Sequence, residues 1–339
     1  AAAAASSETA DDDLRAETFD TSASEIWDQR PDPTSRVGPE KSDPRQADDT
    51  PASYQLRHSF QTRHGYVYGI APRWEDDQLA TCGGDGSACL WSLGGGRRLE
   101  LPTDHSELND LAMTPDGRVL VAASDDTRVH LWLLPDQEDR EAGRAIQHTK
   151  LAEHDDWVTS VDVDASGRHL LTGSYDGTAR IWSLVDGACM AVLEGHRGPV
   201  LDVSWGEFPV TVSQDGSVRY WDSEGRNINE VSGYAPVTSV ATMGTDTCWT
   251  TKSGEVFRQK TSAPVQLRTH REAARTAAFG TSGTLVTGGE DNRLYVYPPE
   301  STDASQMLRT EASVWCLFVE GNLLGAGGED GQVYLYGRT

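Results

Sequence analysis

His154, Thr172 and Asp176 are the residue types of a hydrolytic triad, in which a carboxylate orients an imidazole that draws the proton from a hydroxyl. The same combination recurs in the same order elsewhere along the chain, and a set that repeats reads as a structural brace rather than one catalytic centre. Other chemistry is not encoded. Gly94-Gly95-Gly96 opens no helix, so it reads as a strand connection and not a phosphate loop. The five cysteines, at 82, 89, 189, 248 and 316, form no Cys-x-x-Cys pair and no cluster with His at zinc spacing. They read as small buried residues of a reducing compartment, with no metal and no cofactor expected.

The elements that carry these residues repeat. The clearest unit runs His154, Trp157-Val158-Thr159-Ser160-Val161, Leu170-Leu171-Thr172-Gly173-Ser174, Asp176-Gly177, then Ala179-Arg180-Ile181-Trp182. An alternating run, a second apolar run, an Asp-Gly turn and a third run ending in an aromatic residue describe three short-turned strands, with a fourth before the next His. The turn positions are Asp85, Asp126, Asp176, Asp215, Ser253, Asp291 and Asp330, spaced by 41, 50, 39, 38, 38 and 39 residues. Seven units of about 40 residues with four strands each predict an all-β, seven-bladed β-propeller.

With Gly195-His196 or a plain His at the unit start, Asp-Gly in the turn and Trp at the end, residues 54–339 resemble the WD-repeat family. In that family a His, a Thr or Ser, an Asp and a Trp form a hydrogen-bonded chain within each blade. The resemblance implies complete sets at His64, Thr81, Asp85 and Trp91; at His154, Thr172, Asp176 and Trp182; and at His196, Thr211, Asp215 and Trp221. The second repeat keeps His105, Asp126 and Trp132 but has Ala122 in the Thr position. The sixth keeps His270, Thr287 and Asp291, with Tyr297 in place of Trp. The seventh keeps Asp330 and Tyr336, and the fifth has Trp249, Ser253 and Gln259 at the corresponding places.

Two domains follow: an acidic, proline-containing extended tail over 1–53, and the propeller over 54–339. The tail holds 13 acidic and 5 basic residues, too polar to offset its chain entropy by burial. Ile26 and Trp27 form a candidate tail anchor. Trp27-Asp28-Gln29-Arg30 resembles the Trp-Asp-x-Arg box by which some WD-repeat proteins engage ubiquitin-ligase adaptors, although that box ends a blade and no repeat precedes this one. The last unit stops at Gln332–Tyr336 without a fourth strand, so Tyr54–Phe60 is expected to complete the seventh blade and close the ring. The insertion Pro135–Arg144 in the second repeat is expected opposite the turn aspartates.

The 53 acidic residues against 29 basic ones give a net charge of −24, which rules against a general nucleic-acid binder and favours basic partners or simply solubility. No apolar run reaches membrane-spanning length. The expected role is a non-enzymatic interaction platform, a subunit of a multiprotein complex that binds protein subunits or peptides on the propeller's top face. The alternatives are a substrate-recognition subunit of an enzyme complex, such as a ligase adaptor or a chromatin or peptide reader, and a propeller enzyme. An enzyme would need convergent carboxylates in the channel, whereas the recognised acids mostly occupy turns. Family pattern places the partner-binding residues at Tyr66, Tyr68, Trp157, Tyr175, Arg275 and Trp315, with Thr159, Asp125, Gln214, Lys252, Glu290 and Glu329 beside them. The five aromatic residues among these are expected to face neither the core nor a neighbouring blade. Trp74, Trp205 and Trp249 lie inside strand text and are expected to fill the core. The compartment is expected to be intracellular and reducing, the cytoplasm by default or an organelle interior after processing.

Overall fold

The computed structural model describes residues 53–339, except 95, 97, 137, 138, 140, 142–144 and 262. The tail, with Ile26, Trp27 and the Trp-Asp-Gln-Arg string, lies outside the described residues. Among the described residues twenty-eight strands form seven four-stranded antiparallel sheets, each one blade. Blade 1 is built from β2 (Val67–Arg73) to β5 (Arg98–Leu101), and blades 2 to 6 follow in chain order.

Blade 7 takes its outer strand from the other end of the chain. β1 (Tyr54–Gln61) pairs antiparallel with β28 (Gln332–Arg338), from Tyr54 opposite Arg338 to Gln61 opposite Gln332. Gln306 locks the start of β1: its Oε1 accepts the Tyr54 amide at 2.7 Å and its Nε2 donates to the Tyr54 carbonyl at 2.7 Å. Without β1, the β28 backbone would be an unpaired edge. The expected closure is therefore present.

Seven apolar clusters lie between neighbouring blades. Val119, Val129 and Leu131 of blade 2 pack on Val158, Val161 and Leu170 of blade 3, and Val67, Ile70 and Leu79 of blade 1 meet Phe318, Val333 and Leu335 of blade 7. Each such side chain contributes about 1.5–3 kcal/mol when fully buried. The ring is held by these wedges, because a four-stranded blade alone leaves both faces wet. Among the described residues no helix is long and apolar enough to cross a membrane.

One irregularity repeats in every blade. The pairing of the first two strands slips after the first residue of the inner strand, between Val67 and Gly69, Leu108 and Asp110, Val158 and Ser160, Val200 and Asp202, Val237 and Ser239, Ala274 and Thr276, and Val314 and Cys316. A bulge inserts one residue and re-aims its side chain. The bulged residues Tyr68, Asn109, Thr159, Leu201, Thr238, Arg275 and Trp315 all line a central channel of about 520 Å³.

Candidate partner-binding face

The His, Thr, Asp and Trp sets lie within single blades. In blade 3, His154 Nδ1 is 2.8 Å from Asp176 Oδ2, His154 Nε2 is 2.8 Å from Thr172 Oγ1, and Trp182 Nε1 donates to the same hydroxyl at 3.0 Å. Blade 1 repeats this with His64, Asp85, Thr81 and Trp91, and blade 4 with His196, Asp215, Thr211 and Trp221. The order of contacts is that of a triad, but Thr81, Thr172 and Thr211 are fully buried and each is capped by an indole. No substrate reaches these hydroxyls. Burial opposes the Asp176 charge, yet hydrogen bonds from His154 and Thr178 outweigh it and hold the carboxyl well below its usual range. Blade 6 keeps the His270 contacts to Asp291 and Thr287, and the Tyr297 hydroxyl donates to the Arg268 carbonyl.

Blade 2 differs from the family pattern. His105 is exposed with φ 63° and does not meet Asp126. With Ala122 offering no hydroxyl, His130 of the third strand takes the role. Its Nε2 sits 3.1 Å from Asp126 Oδ2 and its Nδ1 lies 3.1 Å from His148 Nε2. Trp132 stacks on His148 and donates to the Pro102 carbonyl. In blade 7 the Tyr334 hydroxyl donates to Asp330, and in blade 5 the buried Trp249 fills the Thr position. Of the two other tryptophans expected in the core, Trp74 is not there, and Trp205 is only partly buried, against the cluster of Leu171, Ile181 and Val203. Trp74 follows its strand in a 3₁₀ turn, 38% exposed, with its indole donating to Glu320, and Trp205 is half-buried against His169.

The top face carries the turn aspartates and the mouth of the channel. Tyr66 stacks on Tyr68 at 5.9 Å, and Tyr68 meets the edge of Trp315 at 5.7 Å, so blades 1 and 7 share one aromatic cluster. Trp157 and Tyr175 form a second, 5.5 Å apart. Tyr66, Trp157 and Tyr175 are 43%, 47% and 40% exposed. Tyr68 and Trp315 are half-buried and do pack against a neighbouring blade, contrary to the expectation that all five rings stand free. The Arg275 guanidinium covers Trp315 at 4.7 Å and is itself held by Glu290, with Nε donating to Oε1 at 2.7 Å. Burial, together with the negative charges of Glu107, Asp125 and Glu329, raises the Tyr68 hydroxyl above its ordinary pKa. The Tyr68 hydroxyl therefore sits in a negative field, while Trp315 in the same cluster carries the Arg275 guanidinium. The described residues of the insertion lie on the opposite face: Pro135 and the Gly117 turn both offer carbonyls to Arg73, and Asp136 and Asp139 hold Arg118.

Sequence reasoning missed a row of carboxylates inside the channel. Asp110, Asp162 and Asp202 stand on the inner strands of blades 2, 3 and 4, and each accepts an amide from the inner strand of the next blade. The donors are Val161, Trp205 and Val240, at 3.0, 2.7 and 2.8 Å. The signal was an aspartate inside three successive inner strands, each followed by an apolar residue, as in Asp110-Leu111, Asp162-Val163 and Asp202-Val203. These acids stitch blades together. Among the described residues, no group of three or more His, Cys, Asp or Glu side chains is placed to hold a metal ion.

Known proteins agree with this geometry. The WD domain, G-beta repeat model matches residues 54–92, 97–132, 146–183 and 187–222. Autophagy-related protein 16 of Arabidopsis thaliana is 25% identical over 280 residues, 79% of this chain and 46% of that protein. The DENN domain and WD repeat-containing protein SCD1 of the same plant is 37% identical over 109 residues, 31% of this chain and 8% of its own. The match to the target of rapamycin complex subunit LST8 of Saccharomyces cerevisiae is 32% identical, over 28% of this chain and 31% of that one. The chain thus spans less than half the length of these relatives. The crystal structure of the WD40 β-propeller domain of Doa1 superimposes with a TM-score of 0.73 at 20% identity, covering 84% of this chain and 97% of that domain. Four stretches that match the WD-repeat model, seven four-stranded blades and the His-Thr-Asp-Trp braces together show a β-propeller that carries WD repeats.

Proposed function

We propose that the protein is a non-enzymatic interaction platform, a subunit of a multiprotein assembly that grips a basic segment of its partner on the top face. The observation that carries this reading is the pairing of exposed rings with acids at one channel mouth. Tyr66, Trp157 and Tyr175 retain open apolar surface, and the negative charges of Glu107, Asp125 and Glu329 act on Tyr68 of the Tyr66–Tyr68 stack. Aromatic rings of this kind are enriched among binding hot spots, and complementary charge steers the encounter. The burial of the brace hydroxyls supports the non-catalytic part. The buried thiols of Cys82, Cys248 and Cys316, unbridged, fit a reducing intracellular compartment.

The test uses the partner that co-purifies with the protein from its native source. Its affinity for the wild type is expected to fall as salt is raised, and reversing two acids together, Glu107→Lys with Glu329→Lys, is expected to weaken it tenfold or more. Binding that ignores both salt and the double reversal overturns the basic-partner reading.

A further inference from the structure

Ser160 stands between two carboxyl groups. Its Oγ lies 2.9 Å from Asp110 Oδ2 of blade 2 and 2.6 Å from Asp202 Oδ1 of blade 4. A serine hydroxyl carries one hydrogen and can donate to one acceptor at a time. If both aspartates were ionised, one of these contacts would set a lone pair against a carboxylate. The remaining contacts offer no relief. Asp110 already accepts the Leu111 amide on Oδ1 and the Val161 amide on Oδ2, while Asp202 accepts Val203 on Oδ1 and Val240 on Oδ2. A second proton is needed to satisfy the chain.

From this geometry we infer that Asp110, Ser160 and Asp202 form a proton-locked clasp across blades 2, 3 and 4, in which the two carboxyls share one acidic proton. The lengths give its direction. The 2.6 Å contact has the length of a hydroxyl donating to a carboxylate, so Ser160 donates to Asp202 and receives the proton of Asp110. No atom of the clasp is left without its hydrogen, and three successive inner strands are tied through side chains as well as amides.

The surroundings keep the proton in place. Asp110 faces the buried thiols of Cys82 on β3 (Gln78–Gly83) and Cys316 on β26 (Val314–Glu320), and Asp162 shares the strand of Ser160. On the far side Asp202 meets Ser239 and the Val240 amide of β18 (Val237–Met243). Arg275, the channel's guanidinium, is engaged by Glu290 and Trp315, and Glu320 adds a further negative group to the lining. Burial, then the charge of Asp202, raise Asp110 to about 8. Burial likewise raises Asp162 to about 6, and Asp202 is also raised. Because the clasp titrates as a pair, its proton belongs to both carboxyls. Above about pH 8 the proton leaves and two anions face one hydroxyl, so the clasp is an alkaline release built into one side of the ring.

Infrared spectroscopy of the full chain reads the proton directly, as the carboxylic-acid carbonyl stretch separate from the carboxylate bands. At pH 7, after Asp162 has ionised, the expected amplitude is one acid per chain, lost with a midpoint near pH 8. Asp110→Asn is expected to abolish it and to flatten the fall of the melting temperature that the clasp predicts for the wild type as pH rises from about 5 to about 8, levelling above that. Should that variant not fold, the wild-type titration alone decides. An amplitude of zero, or of two acids, at pH 7 overturns the clasp, as does an unchanged band in folded Asp110→Asn.

Discussion

The Arg275 guanidinium lies 4.7 Å over the ring of Trp315, joining blade 6 to blade 7 at the channel mouth. The ring's face is therefore already occupied from within the protein. Trp315→Ala is expected to cost about 2 kcal/mol of stability, from lost packing and the lost cation–π contact. The exposed Trp157 makes a matched comparison, and Trp157→Ala is expected to stay within about 0.5 kcal/mol of wild type. Urea unfolding of the two variants checks the difference, and equal losses contradict this division of roles.

The brace gives a second outcome. Asp176→Ala strips His154 and the Thr178 amide and hydroxyl of their acceptor, at a cost of about 1–3 kcal/mol. Ser253→Ala, at the matching turn of blade 5, has no His to strand and is expected to cost under about 0.5 kcal/mol. Similar melting losses at both positions contradict the alignment of the repeats.

Acid sensitivity follows from the same carboxylates. The Asp176 pKa is lowered in the fold, and Asp215 is held at about 2 by its serine, amide and histidine partners in spite of its burial. In the unfolded chain each takes a proton near pH 4, so the native state binds fewer protons below that point. Their contribution is whole above about pH 4 and is lost as pH falls toward 2. A melting series from pH 5 to 2.5 is expected to show a shallower decline for Asp176→Asn than for wild type. Parallel curves contradict it.

Closure predicts the behaviour of truncations. Removing residues 1–52 leaves β1 and its Gln306 lock, and cooperative unfolding is expected to persist. Removing 1–61 takes away all of β1 and bares the β28 edge, so aggregation or loss of the transition is expected. Calorimetry of both truncations distinguishes the cases. Soluble, cooperative unfolding of the shorter product contradicts the closure.

The ring and its closure were legible because their signals are local: Asp-Gly turns, aromatic strand ends, and a last unit one strand short. The bulges were not. A bulge shifts the in-and-out alternation by one, so the text around Tyr68 and Trp315 cannot say which way the ring points. His130 escaped notice because it serves Asp126 from four residues downstream, off the family's spacing. Asp110, Asp162 and Asp202 escaped because their partners are amides of the next repeat, 51, 43 and 38 residues away in sequence. Trp74 was misplaced in the core because its strand ends one residue earlier, at Arg73.

The central claim is that the top face holds the partner, and affinity for the natively co-purifying partner tests it most directly. Trp157→Ala and Tyr66→Ala remove exposed rings from that face. Phe208→Ala removes one of similar exposure, 41%, from the turn between the first two strands of blade 4 on the opposite face. A partner that covers a ring gains about 25 cal/mol per Å² of apolar surface, and a central ring is worth about 2 kcal/mol or more. With melting unchanged, both top-face variants are expected to bind at least about tenfold more weakly while Phe208→Ala binds as wild type. Full binding by the two top-face variants, with loss in Phe208→Ala, contradicts the account.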